Sequence, residues 1–490
     1  MRMSKQLVGL IILILVGSTG NAGPFEQTVL TVPDSIHAIK AGDWDGDGDT
    51  DLLVMGVERW HVILQEDGAW QQGDSGLQII PDSAMIVYDL GNIDDQPDIE
   101  LIFCTRDGIF ARKLSAENAE AVRLAPAKSM FTYFHDPAGS MRPFYAREVQ
   151  IVGEMEADRP AALFVPTMNG LDVFSFGAGR YMHAASIEGV AERVFTHGRQ
   201  FPGGEYRIRT MRLLDLNNDG RKDLVFTFPE ALHGYLQQTD GTFSSQVTIP
   251  LPATFSRSVG TGEKPTIKEM RDLDGDGWPE IIADKFISQS ILNPRTQIQT
   301  YFGQPGADGV VAYPNSPDHV VVVDGIATPY HPDFDQDGDH DMVVSRLKLN
   351  IFKILKAFIT STINWEIWIY PLDADGHYPK TPERKFSAKM QFQLTSTSST
   401  VSGSSFGEWD SDFNGDGIPD LGIQSDDEEI SIFPGGVNGP YDTDHPVRLE
   451  SEVLRQSYKY KVTDLDNDNA TDILFYQDNG TELQIFLSRL

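Results

Sequence analysis

Short apolar runs punctuated by acidic turns recur along the whole chain. "LLVMG", "LVFTF", "IIAD", "MVVS", "LGIQ" and "ILFYQ" each follow an acidic stretch, and each is brief and rich in β-branched or aromatic residues. Ahead of the acidic stretch stands an alternating segment such as "IHAIKAG" or "YRIRTMRLL". A third run follows ("WHVILQ", "WEIWIYPL", "ISIFPG", "LQIFLSRL"). Turns of the Asp-Gly or Asn-Gly kind with an aromatic behind them, "EDGAW", "TDGTF", "ADGHY" and "VNGPY", then lead to a more variable fourth strand. Four strands per unit, repeated radially, predict an all-β β-propeller.

The acidic stretches set the period. Six are well formed: "DWDGDGDTD" from Asp43, "DLNNDGRKD" from Asp215, "DLDGDGWPE" from Asp272, "DFDQDGDHD" from Asp333, "DFNGDGIPD" from Asp412 and "DLDNDNATD" from Asp464. Two degraded copies, "DLGNIDDQPD" from Asp89 and "EMEADRPAA" from Glu154, fill the early gap. The intervals average about 60 residues, which suits a motif that must stack on its neighbours to bury a core. Eight four-stranded blades are expected, or seven if one degraded copy is not a whole blade. The last unit stops after three strands, while a stray strand, Phe25 to Pro33, precedes the first acidic loop. Pairing that strand into the last blade would close the ring and remove two raw edges.

Each good loop has the form D-x-[DN]-x-D-G-x-x-[DE]. Positions one, three, five and nine supply Asp43, Asp45, Asp47 and Asp51; Asp215, Asn217, Asp219 and Asp223; Asp272, Asp274, Asp276 and Glu280. The later loops supply Asp333, Asp335, Asp337 and Asp341; Asp412, Asn414, Asp416 and Asp420; Asp464, Asp466, Asp468 and Asp472. Such a spacing parallels the early part of an EF-hand loop, where a glycine at position six makes the sharp turn. Asn469 replaces that glycine in the last loop, and asparagine tolerates the left-handed conformation better than most residues. With only hard oxygen ligands, the loops predict about six Ca2+ sites rather than zinc. The bidentate glutamate and the helices of an EF-hand are absent.

The units resemble the FG-GAP/VCBS repeats of integrin α-chain propellers and of many exported bacterial proteins. "FGEWDSDFNGDGIPDLGIQ", Phe406 to Gln424, carries the resemblance best, with "GDWDGDGDTDLLV" close behind. In that family calcium sits in hairpin loops within blades, so the resemblance implies the same ligand positions in these six loops. At Asp89 and Glu154 the pattern departs from it. "FGQPGADG" and "FGAGRY" only partly echo the FG and GAP motifs.

Composition narrows the setting. "MRMSK", the apolar run Leu7 to Val16 and the small residues of "GSTGNA" form a secretory signal peptide over 1–22, leaving one propeller domain over 23–490. Export to a periplasm, the medium or the cell surface follows, with no transmembrane span after cleavage. Losing Arg2 and Lys5 takes the formal charge from −33 to −35. So acidic a surface disfavours nucleic acid and anionic lipid as partners. The single cysteine, Cys104, lies in an apolar run and reads as a buried, inert thiol.

No catalytic set stands out. "GSSFG" around Ser405 matches a nucleophile elbow in letters, but an acidic loop follows where the elbow needs a helix. His331 and His340, beside and within the sixth loop, read as solvated. "GTGEKP" lacks the Ser or Thr of a phosphate loop. "RLKLNIFKILKAFITS", 346–361, has helical apolar spacing with lysines off the stripe, and a basic amphipathic insertion there would pack on the propeller or dock a partner. The aromatic segment 129–146 could line a ligand site. A non-catalytic binding or adhesion module for protein or glycan is therefore expected. The competing reading is a lyase-like polysaccharide enzyme, which requires a Tyr/His/Arg/Lys cluster at the channel mouth.

Overall fold

The computed structural model describes residues 17–490 apart from 57–58, 67, 72–84, 86, 95, 106, 116–118, 126–146, 157–158, 198–201, 257–263, 288–293, 349–350, 374–375, 395–400, 437–440 and 457. The aromatic segment 129–146 lies outside the described residues. Eight antiparallel sheets follow one another, and their leading strands are Ile36–Gly42, Val87–Gly91, Val152–Gly153, Met211–Leu214, Thr266–Arg271, Ile326–Tyr330, Gly407–Ser411 and Lys459–Thr463. The chain is an eight-bladed β-propeller.

Alternation explains the blades. Each second strand is buried on both faces, as Asp51–Gly56, Asp420–Gln424 and Asp472–Tyr476 show at every residue. Such strands read as unbroken apolar runs because a neighbouring blade covers each side. The core is accordingly divided. Eight apolar clusters each join two consecutive blades: Leu53, Met55 and Trp60 meet Leu101 and Phe103 between blades 1 and 2, and Leu52 and Val54 meet Leu474 and Ile485 between blades 8 and 1. Cys104, fully buried, belongs to the cluster between blades 2 and 3.

Phe25–Thr31 pairs antiparallel with Glu482–Ser488, from Phe25 opposite Ser488 to Thr31 opposite Glu482. The expected closure is therefore present. Gly17–Ala22 adds a further strand outside Phe25–Thr31; cleavage after Ala22 would remove it and leave the closing strand in place.

Leading strands of successive blades touch through their side chains: Tyr330 and Trp409 have ring centroids 4.1 Å apart, and Tyr460 Oη donates to Gly407 O at 3.2 Å. Such reach is possible only on the narrow side of a radial array, so these strands edge the central channel. Insertions among the described residues decorate it. A hairpin, Ala191–His197 with Pro202–Ile208, links blades 3 and 4 and is not foreshadowed by the repeat pattern. The helix of the 346–361 segment spans Ile351–Thr360, between the second and third strands of blade 6. It starts later than its apolar spacing suggests, because Arg346 and Leu347 finish the strand Met342–Leu347. Arg346 is held there by Glu366 and by the Trp368 ring, 4.2 Å from its guanidinium carbon.

Candidate metal centres

Each acidic loop joins the leading strand of a blade to its second strand, and the six good copies share one hydrogen-bond scheme. The position-one carboxylate accepts the position-six N–H at 2.7–3.3 Å in all six. The position-five carboxylate accepts the position-seven N–H at 2.8–3.1 Å. The position-nine carboxylate accepts from position two at 2.5–3.4 Å. Its other oxygen takes an N–H from the third strand (Gln65, Gln237, Gly303, Leu372, Gly435 or Ser488) at 2.7–3.0 Å. These bonds wrap the backbone around a common centre and aim the acids at it.

The turn needs two left-handed residues. Position six has φ between +71° at Asn469 and +95° at Gly338. Position four is also left-handed, held by Gly46, Asn218, Gly275, Gln336, Gly415 and Asn467. The consensus leaves position four open, although its run of Gly, Asn and Gln was the available signal. Position two is likewise open in the consensus. Trp44, Leu216, Leu273, Phe334, Phe413 and Leu465 are each no more than 1% exposed there and anchor the loop in the core.

Oxygens of Asp43, Asp45 and Asp51 lie within 4.8 Å of one another, as do those of Asp272, Asp274 and Asp276, of Asp333, Asp335 and Asp341, and of Asp464, Asp466 and Asp472. In the loops from Asp215 and Asp412 an amide stands at position three, and Asn217 and Asn414 donate to Asp219 and Asp416 at 2.9 and 3.1 Å. Burial pushes the position-nine acids up: Asp51, Asp223 and Asp420 to about 6, Asp472 to about 7, Glu280 and Asp341 to about 8. Their backbone donors oppose the shift and neighbouring aspartates add to it. Asp45, Asp274 and Asp335 are raised for the same reasons.

A hard divalent cation fits this donor set. Asp45 Oδ1, Asn217 Oδ1, Asp272 Oδ1, Asp333 Oδ1, Asp335 Oδ1 and Asp466 Oδ1 are buried without a hydrogen-bond partner. Unpaired buried carboxylate oxygens are costly, and a cation among them removes the cost.

The degraded copies differ from each other. In blade 2 the loop register lies three residues later than the acidic spelling suggests. Gly91 pairs with Glu100 as Gly42 pairs with Asp51, and Ile93 N–H donates to Glu100 as Trp44 donates to Asp51. The repeat is therefore Asn92 to Glu100, with no inserted residue. Asp89 instead points to blade 3, where it accepts from Ile151 and Val152 at 2.7 and 3.0 Å. Blade 3 keeps the expected register, with Gly153 opposite Ala162, so its ninth position offers no carboxylate.

Loops are also stitched around the ring. Ile99 N–H donates to Asp43 O, Ala161 to Asn92 O and Thr471 to Asp412 O, at 3.0, 3.0 and 2.6 Å. Asn467 Nδ2 reaches Gly48 O at 2.8 Å across the closure.

On the channel edge of blades 5 and 6, His331 Nδ1 lies 3.0 Å from Glu269, while Arg271 reaches His331 O at 3.0 Å and His340 Nε2 at 3.1 Å. His331 is only 3% exposed, so it is a core partner of Glu269 and not the solvated residue its loop position suggests. Ser405 donates to Lys389 O at 2.7 Å and accepts from Trp365 Nε1 at 2.8 Å, which commits its hydroxyl to structure.

The ring and its acidic loops define a blade-repeat propeller whose clustered carboxylates could hold a cation. The family of FG-GAP-like repeats matches at residues 215–283, within blades 4 and 5, and the eight-bladed ring fits a propeller of such repeats. No curated protein matches the sequence. Among solved structures, an Agrocybe aegerita lectin that recognises non-reducing terminal N-acetylglucosamine is 12% identical at a TM-score of 0.42, over 92% of this chain and 98% of that one. The Vibrio cholerae biofilm matrix protein Bap1 is 12% identical at a TM-score of 0.25, over 92% and 77%. Likenesses this distant carry no functional argument. Among the described residues no helix is long and apolar enough to cross a membrane.

Proposed function

We propose that the chain is an exported, calcium-stabilised propeller that serves as a non-catalytic binding module for a glycan or protein. The observation that carries this reading is the sixfold recurrence of one oxygen cradle, most copies holding a buried oxygen without a partner. Calcium suits it better than zinc, since neither His nor Cys contributes, and better than magnesium, which demands a tighter octahedron. Bound calcium would supply the positive charge that lets these carboxylates stay ionised in the core, adding to stability by mass action. The leader over 1–22 supports export into a calcium-containing compartment.

The channel edge favours a glycan. Tyr330 is 36% exposed and packs against Trp409 with the two rings tilted by 41°, and the adjoining His331 backbone is gripped by Arg271. An aromatic face beside charged groups suits the apolar face and hydroxyls of a sugar ring. The Glu269, Arg271, His331 and His340 cluster is also what the polysaccharide-enzyme reading requires, and it keeps that reading as the second. Glu269, Arg271 and one nitrogen of each histidine are spent on one another, while His331 Nε2 and His340 Nδ1 are buried without a partner.

Thermal unfolding in EDTA, in millimolar calcium and in millimolar magnesium tests the metal. A midpoint raised by calcium alone is expected, and an unchanged midpoint refutes the cradles as calcium sites. A glycan array with wild type and Tyr330→Ala tests the ligand. Loss of binding in the variant is expected, whereas release of shortened or unsaturated sugar products would establish the enzyme.

A further inference from the structure

Blade 2 carries an acidic cluster of its own that no metal needs to fill. Oxygens of Asp94, Asp98 and Glu100 lie within 4.8 Å of one another. Lys113 Nζ sits 2.6 and 2.8 Å from the two oxygens of Asp98 and 4.0 Å from Glu100 Oε1. Glu100 is 2% exposed, and its Oε1 has no hydrogen-bond partner. In the six good blades that second oxygen takes the third-strand N–H; on Glu100 the lysine is the nearest positive group.

The lysine's place in the sheet is distinctive. Lys113 lies directly opposite Glu100 on the third strand. One step beyond the paired residues of the other blades, the same place is held by Leu64, Leu236, Phe302, Pro371, Pro434 and Leu487. Six metal-type loops thus face an apolar residue, and the loop facing a lysine is the one whose positions one and five have become Asn92 and Gln96. Removing two carboxylates and adding one ammonium at a fixed register is a coordinated exchange of cation source. Arg489 acts differently in blade 8: it binds Asp466 and Asp468 at 2.7 and 2.9 Å yet leaves Asp466 Oδ1 without a partner.

We propose that Lys113 is the resident cation of blade 2, a covalently attached ammonium in place of a metal ion. This rests on the calcium reading of the other six loops. Blade 2 then keeps its loop closed in the absence of metal and offers the ring a segment whose order does not vary with calcium. The arrangement also fixes the stoichiometry at six, although Asp94, Asp98 and Glu100 resemble a seventh site.

The test is calcium counting by equilibrium dialysis with elemental analysis, alongside thermal unfolding in EDTA and in excess calcium, on the full chain. Wild type and Lys113→Arg should each bind six ions. Lys113→Leu should bind a seventh, and should lose midpoint in EDTA by more than it loses in calcium. Seven ions on the wild type overturn the lysine assignment while leaving the calcium reading intact. Equal midpoint losses of Lys113→Leu in both media, with six ions still bound, overturn it as well. A wild type that takes up no calcium overturns the metal reading and this inference with it. Should Lys113→Leu not fold, the wild-type count of six against seven still decides.

Discussion

If the acidic loops hold calcium as proposed, removing it should reverse the sign of the pH dependence of stability. In the metal-free fold Asp420 is wholly buried and its carboxyl is pushed up to about 6 from 3.8, first by burial and then by Asp412 and Asp416. The folded chain therefore holds a proton that the unfolded chain has lost. Stability is greatest where the group is protonated in both states and falls as pH rises through the folded value. A rise of that size at this one position amounts to about 3 kcal/mol. Asp472 at about 7, and Glu280 and Asp341 at about 8, extend the fall toward pH 8. On the calcium reading proposed above, the ion would bind the ionised form, so in its presence the same rise in pH should strengthen the fold. Scanning calorimetry in EDTA and in excess calcium, between roughly pH 5 and pH 8, should give midpoints that fall in the first series and rise in the second. Asp420→Asn, which removes one titrating group, should flatten the EDTA series below about pH 6 and leave its upper part unchanged. An EDTA midpoint that stays level or rises with pH, or an Asp420→Asn slope equal to wild type below about pH 6, would refute the reasoning.

Three substitutions test the scaffold. Gly417→Ala meets only Gln336 Nε2, at 3.7 Å, so its cost is the left-handed φ of +86° alone; a loss of about 1–2 kcal/mol in urea denaturation is expected, against little change for Asn469→Gly. Phe25→Ala empties a fully buried site in the cluster between blades 7 and 8 and should cost about 3–5 kcal/mol, with faster proteolysis of the closing strand as the second readout.

How far the sequence could be read depends on what each residue reports. The acidic loops were plain because ligand spacing is local, and the closing strand because an unpaired run at one end matched a missing strand at the other. Blade 2 misled because a count of acids weighs Asp89 and Asp98 alike. Only the pairing of Gly91 with Glu100 shows that one of them serves blade 3 and the other faces a lysine. His331 misled for a similar reason. Its neighbours in the chain are loop-like, whereas its partner Glu269 comes from the preceding blade. The inserted hairpin Ala191–His197 with Pro202–Ile208 carries no acidic marker, so nothing in the repeat announced it.

The pairing of Phe25–Thr31 with Glu482–Ser488 has a consequence for biogenesis. The closing strand is made well before the strand it pairs with, and it must wait for the blades between them before it finds its place. Early blades can collapse one on another in the meantime, but none is locked into a ring. If the chain is exported as proposed, crossing a membrane in an extended state would gain from such a delay, since the latch would engage only on the far side. Truncated products, lacking the receiving strand, would stay open there and be exposed to proteases.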